Sequence, residues 1–88
     1  MNEMPKVPYR IQIRYFALLK DLVGQGEEVL GIPAGSTAGD IYLLLAEKYA
    51  FPLALTDIRI AVNDEFTSTS HPLQDGDSLV FIPPVAGG

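Results

Sequence analysis

The sequence predicts an α+β fold: a mixed sheet of four to five strands with one main helix packed on it. Three observations carry this. Short runs of alternating apolar and polar residues recur along the chain, bounded by glycine, proline, asparagine or aspartate. One stretch, residues 38–49, has helical spacing of apolar residues and a capping signal before it. The chain has 88 residues, which allows one domain with a small core.

The elements follow in order. Residues 1–8 contain Pro5 and Pro8, lack an apolar period, and read as a flexible leader. Residues 9–16 alternate, with Ile11, Ile13 and Tyr15 facing one way and Arg10, Gln12, Arg14 and Phe16 the other, as in a half-buried strand. Residues 17–23 form a short helical piece with Leu18, Leu19 and Leu22 as its apolar stripe. Gly24 stands where a helix C-terminus expects glycine. After the Gln25-Gly26 turn, residues 27–32 read as a second strand, with Val29 and either Leu30 or Ile32 inward. The pair suggests a hairpin with a helical insert in its connection.

Pro33-Ala34-Gly35 closes that strand, and Ser36 or Thr37 caps the main helix. Thr37 with Asp40 resembles a capping box with Asp in place of Glu. Ile41, Leu44, Leu45 and Lys48 or Tyr49 are spaced for one face, Leu43 widens it, and Pro52 ends the helix. Residues 53–56 read as an irregular crossing. Residues 58–62 alternate as a third strand, Asn63-Asp64 is a turn pair, and residues 65–67 form a short return strand. After a polar loop Leu73 re-enters the core, and Asp75-Gly76-Asp77 turns the chain into a last strand, residues 78–82. A right-handed crossover through the long helix joins the two halves. The folded domain is expected over residues 9–82.

Residues 83–88, Pro83-Pro84-Val85-Ala86-Gly87-Gly88, read as a flexible tail. The two prolines end the strand and hold the chain extended. Val85 and Ala86 are small, and Gly87 and Gly88 lack a Cβ, so the tail is thin enough to enter a narrow channel. Its reach is about 20 Å. It ends in one group that can be activated, the carboxylate of Gly88. An incidental, disordered terminus is the plainer alternative.

Composition excludes several kinds of chemistry. There is no cysteine, so neither a disulfide nor a thiol of this chain takes part. One histidine, His71, argues against a histidine metal site, and no cofactor or metal is expected on the chain. The formal net charge of −5 argues against nucleic acid or an anionic membrane as partner, and fits a partner with a basic docking surface. No apolar run reaches the length of a membrane span, and no signal peptide is visible, so the cytoplasm is the expected location. No nucleophile–base pair stands out; Ser68, Thr69, Ser70 and His71 are adjacent, but read as a turn-rich loop. Apolar residues on the polar face are more informative. Phe16 shares a face with arginines, Phe66 lies beside a turn, and Val80 and Ile82 alternate with Leu79 and Phe81. If Leu79 and Phe81 face the core, then Phe16, Phe66, Val80 and Ile82 form a docking patch. The alternative is that a second small core or the leader covers them.

These residues resemble a known family. Phe81-Ile82-Pro83-Pro84-Val85-Ala86-Gly87-Gly88 looks like the ending of the small, ubiquitin-like sulfur carrier subunits of molybdopterin synthase. The run Tyr15-Phe16-Ala17-Leu18-Leu19-Lys20-Asp21-Leu22-Val23-Gly24 is similar to that family's segment after the first strand. Ala61-Val62-Asn63-Asp64 and His71-Pro72-Leu73-Gln74-Asp75-Gly76-Asp77 are similar to its later strand and turn. The resemblance covers roughly residues 9–88 and implies a β-grasp fold. It further implies that a ubiquitin-activator-like enzyme adenylates the Gly88 carboxylate with ATP, and that a sulfur donor protein converts it to a thiocarboxylate. The large synthase subunit then takes the tail into its active site. There sulfur passes to cyclic pyranopterin monophosphate, in a heterotetramer docked through Phe16, Phe66 and Ile82. The leader extends beyond the family's usual start, and Phe66 sits where an aliphatic residue is common. Two relatives of this chemistry stay open: a carrier of the thiamine pathway and a ubiquitin-like protein modifier joined to target lysines. A plain binding domain with an incidental tail is the remaining reading.

Overall fold

The computed structural model describes residues 8–84. The first strand, β1 (Tyr9–Tyr15), keeps the alternation read from the sequence. Ile11, Ile13 and Tyr15 are buried, while Arg10, Gln12 and Arg14 are exposed. Phe16 stands just outside the strand, as the extended residue that caps α1 (Ala17–Val23). Ala17 takes a φ of 52°, so the chain turns from strand to helix in one step. For a residue with a Cβ that conformation costs about 1–2 kcal/mol. Gly24 ends α1 in the left-handed conformation, donating its N–H to the Lys20 carbonyl. Of the expected stripe only Leu19 is fully buried; Leu18 and Leu22 are exposed. So short a helix brings a single side chain fully into the core.

Strand β2 (Glu27–Ile32) pairs antiparallel with β1, completing the expected hairpin. Leu30 lies opposite Ile11 and Ile32 opposite Tyr9, and both face the core. Val29 does not: it pairs with Gln12 on the other face and is 67% exposed. Neighbouring strand residues cannot share a face, and the register with Ile11 selects Leu30 and Ile32.

The main helix, α2 (Ala38–Tyr49), begins at the expected capping box. Thr37 Oγ1 accepts from the Asp40 N–H at 3.1 Å, and Asp40 Oδ2 accepts from the Thr37 N–H at 3.0 Å. Two further N–H groups of its first turn, on Ala38 and Gly39, donate to the carbonyls of His71 and Thr69. The polar loop is thus a backbone cap for the helix. The helix buries Ala38, Gly39, Ile41, Tyr42 and Leu45; Leu43 and Leu44 are exposed. The expected face was rotated away from Tyr42, whose hydroxyl hides its polar atom by donating to the Leu53 carbonyl at 2.7 Å. The Tyr42 ring then packs edge-on against Phe81, with centroids 5.1 Å apart. The helix ends before Pro52, at Ala50, which takes a φ of 58° and returns its N–H to the Ala46 carbonyl. A 3-10 turn, Leu55–Asp57, shapes the crossing that had no expected structure.

The remaining strands are β3 (Arg59–Val62), β4 (Glu65–Thr67) and β5 (Ser78–Ile82). Asn63 and Asp64, both at positive φ, close the β3–β4 hairpin, as tight hairpin turns require. The five strands form one sheet in the order β2-β1-β5-β3-β4. Strands β1 and β5 are parallel at its centre; the other neighbours are antiparallel. Ile11, Ile13 and Tyr15 of β1, Ile60 and Val62 of β3, and Leu79 and Phe81 of β5 form the core with the buried face of α2. This is the β-grasp, ubiquitin-like roll that the resemblance implied.

At one end of the core a carboxylate is held by two phenols. Glu28 Oε2 accepts from the hydroxyls of Tyr15 and Tyr49, tying β2 to β1 and α2. Burial, and then the hydrogen bond to Glu28, pushes the Tyr15 phenol well above its ordinary range.

Candidate functional site

Because one face of the sheet packs on α2, every second strand residue is left on the other face. The strand registers line these residues into rows. One row runs Arg14, Val80, Ala61, Phe66 across β1, β5, β3 and β4. The next brings Arg59 opposite Ile82. Because Tyr15 pairs with Phe81 in parallel, Phe16 and Ile82 leave their strands at the same end of the sheet. Of the expected patch residues, Phe66, Val80 and Ile82 are therefore on this face, and Phe16 leaves β1 at the same end of the sheet as Ile82.

Their exposure differs. Phe66 is 66% exposed and Phe16 45% exposed, while Val80 and Ile82 are half-buried. Ala61 is buried although it lies outside the main core, which leaves a small apolar floor between Val80 and Phe66. The Arg59 guanidinium lies over the Phe66 ring, 5.6 Å from its centroid. Grooves flank the patch. One, bounded by Asp57, Arg59, Ile82, Pro83 and Pro84, runs beside the chain as it leaves β5. Another, at the Phe16 end, is bounded by Arg14, Lys20, Gly26 and Glu27.

Pro83 is half-buried and Pro84 exposed, and both follow β5 without regular structure. The other expected tail residues, Val85, Ala86, Gly87 and the expected reactive residue Gly88, lie outside the described residues, as does the leader up to Val7. Arg59 and Ala61 were not singled out from the sequence. The alternation of β3 gave their face, but only the pairing of β3 with β5 brings them beside Val80 and Ile82. Among the described residues, no group of three or more His, Cys, Asp or Glu side chains could hold a metal ion. No helix among them is long and apolar enough to cross a membrane.

Comparison with known proteins agrees with this geometry. Residues 13–88 match the ThiS family. The chain is 34% identical over 80 residues to the molybdopterin synthase sulfur carrier subunit of Escherichia coli (strain K12), covering 89% of this chain and 99% of that one. It is 35% identical over 82 residues to the protein of the same name from Arabidopsis thaliana, covering 89% and 82%. Among solved structures, a putative molybdopterin converting factor subunit 1 from Pyrococcus furiosus is 30% identical with a TM-score of 0.74, over 88% of this chain and 99% of that one. A chain in the complex of subunits 1 and 2 of the molybdopterin-converting factor from Helicobacter pylori 26695 is 26% identical. Its TM-score is 0.62, over 90% of this chain and 99% of that one. The chain therefore belongs to the ThiS family, and its relatives from Escherichia coli and Arabidopsis thaliana are molybdopterin synthase sulfur carrier subunits.

Proposed function

We propose that this chain is the sulfur carrier subunit of a molybdopterin synthase. The observation that carries the reading is the match along 99% of the Escherichia coli carrier subunit, joined to the run Pro83-Pro84-Val85-Ala86-Gly87-Gly88. A carboxylate is ionised at neutral pH and a poor electrophile. In this reading the Gly88 carboxylate oxygen attacks the α-phosphorus of ATP on a ubiquitin-activator-like enzyme, and pyrophosphate leaves. Hydrosulfide released by a donor protein then attacks the acyl carbon, AMP leaves with the electron pair of the C–O bond, and the sulfur proton passes to water. The product is a Gly88 thiocarboxylate. The larger synthase subunit takes in Pro83, Pro84 and the residues up to Gly87, and sulfur passes to cyclic pyranopterin monophosphate. Two such transfers supply the dithiolene sulfurs of molybdopterin.

The chain itself is the carrier and not the catalyst: acid–base chemistry comes from the large subunit, and ATP is used by the activating enzyme. The partner is supported by the Helicobacter pylori complex of subunits 1 and 2. A heterotetramer with two carriers, and a cytoplasmic location, belong to the same reading. The domain bounds follow from it: leader 1–8, β-grasp 9–82, tail 83–88. Phe16, Phe66, Val80 and Ile82 are the apolar docking surface.

Reconstitution tests it. The chain is mixed with its activating enzyme, ATP, a sulfur donor, the large subunit and cyclic pyranopterin monophosphate. Molybdopterin forms, and does not form when Gly88 is deleted. No product, while a known carrier subunit supports turnover in the same mixture, contradicts the reading. Product only in the thiazole-forming reaction would move the chain to the thiamine pathway, and conjugates on target lysines would make it a modifier.

A further inference from the structure

The chain carries eleven acidic residues and a formal net charge of −5, yet its open sheet face has the opposite sign. All three arginines stand there. Arg10 and Arg14 occupy outward positions of β1, and Arg59 lies opposite Ile82. Among the described residues, Glu27 is the one carboxylate at a strand position on this face, opposite Arg14, and its Oε1 already accepts from Gln12 Nε2 at 2.6 Å. The other described carboxylates stand outside the strand rows of this face. Asp57 borders the groove beside Arg59 and Ile82 and accepts from the Ala54 N–H in the 3-10 turn, Glu28 holds tyrosines, and Asp40 caps α2. Asp75 accepts from the backbone N–H of Arg10 in β1, Asp77 from the Gln74 N–H in the turn before β5, and Glu65 lies opposite Val62. Asp21 and Glu47 are exposed on helices, and Asp64 is in the β3–β4 turn.

Arg14 and Arg59 frame the apolar floor from its two sides. Arg14 is next to Val80 in one row, and Arg59 is next to Ile82 in the other. The Arg59 guanidinium lies over the Phe66 ring, 5.6 Å from its centroid. A guanidinium has five N–H donors, and a cation–π contact at this distance leaves donors for a carboxylate. The same face continues along β5 toward Pro83 and Pro84, so a partner that covers it lies beside the start of residues 83–88.

We infer that this face docks on a large-subunit surface bearing carboxylates opposite Arg14 and Arg59, around an apolar centre that meets Val80, Ile82 and Phe66. The inference rests on the sulfur-carrier reading for the identity of the occupant. It reverses the expectation drawn from net charge: the complementary surface is acidic, while the acidic remainder of the chain faces away. Charges so placed steer encounter and fix register, beyond what the apolar centre contributes.

The test is the affinity of the full chain for its large subunit, by calorimetry or surface plasmon resonance, at low and high salt. Arg14→Glu/Arg59→Glu weakens binding by about tenfold or more at low salt, Arg14→Ala/Arg59→Ala by less, and both flatten the salt dependence of the parent. Both arginines are exposed, and unchanged thermal unfolding of each variant excludes misfolding as the cause. Molybdopterin formation by the reversed variant recovers at saturating large subunit, because Gly88 is untouched. Reversal that leaves affinity and salt dependence unchanged overturns the inference and leaves the carrier reading standing. A loss confined to the activating enzyme overturns the choice of occupant. A parent chain that binds no large subunit and forms no molybdopterin overturns both.

Discussion

Gly39→Ala tests how α2 is seated against its cap. In an open helix interior alanine is about 1 kcal/mol better than glycine. Here a Cβ on residue 39 would lie 2.9 Å from the Thr69 carbonyl oxygen, 3.1 Å from Thr69 Cβ and 3.3 Å from Leu55 Cδ2. The closest of these is backbone, and it is the oxygen that accepts the Gly39 N–H at 2.8 Å. Moving it away to admit a methyl group stretches that bond. Overpacking costs about 1–3 kcal/mol and a weakened hydrogen bond up to about 1 kcal/mol more. Against the helix gain, the net loss is about 0–3 kcal/mol. For a domain of this size that lowers Tm by up to roughly 20 °C. Urea unfolding followed by circular dichroism measures it. The control is Gly26→Ala, where the nearest atom is the flexible Lys20 Cε at 3.5 Å and stability should stay within about 0.5 kcal/mol. A Gly39→Ala protein more stable than the parent, by the roughly 1 kcal/mol of the helix gain, would mean that the loop at Thr69 does not sit on the helix start as described.

Other consequences can be checked in the same preparations. Tyr42→Phe removes the donor to the Leu53 carbonyl and should cost about 1 kcal/mol in urea unfolding; an unchanged midpoint contradicts the bond. Burial raises the phenol pKa of both Tyr15 and Tyr42. The folded state therefore keeps protons that the unfolded chain loses near pH 10. Their stabilisation is complete below that pH and falls above it, by up to about 1.4 kcal/mol per pH unit per tyrosine. Urea midpoints measured from pH 8 to 11 should drop at the alkaline end, and a flat profile contradicts the burial of these phenols. Phe66→Ala, at an exposed position, should leave Tm nearly unchanged while weakening large-subunit binding by about tenfold or more. Unchanged binding removes Phe66 from the docking surface.

What was legible in the sequence was local. The Thr37–Asp40 capping box, Gly24 after α1 and the Asn63-Asp64 turn act within a few residues, and each lies where the sequence placed it. The inward set of β1 followed from strict alternation. What was missed depends on contacts between distant segments. Val29 and Leu30 are equally apolar, and only pairing with Ile11 sends Leu30 inward. Tyr42 is inside and Leu44 outside because Leu53, eleven residues on from Tyr42, supplies an acceptor for its hydroxyl. The patch was visible as apolar residues out of phase. Its arginine frame was not, because Arg14 and Arg59 are joined only through β5.

If Gly88 carries sulfur as proposed, the intact mass of the chain recovered from cells that also express its activating enzyme and sulfur donor will show a species in which one terminal oxygen is replaced by sulfur, absent when Gly88 is deleted. Only the unmodified mass, with enzyme and donor shown to be active on a known carrier, would contradict it.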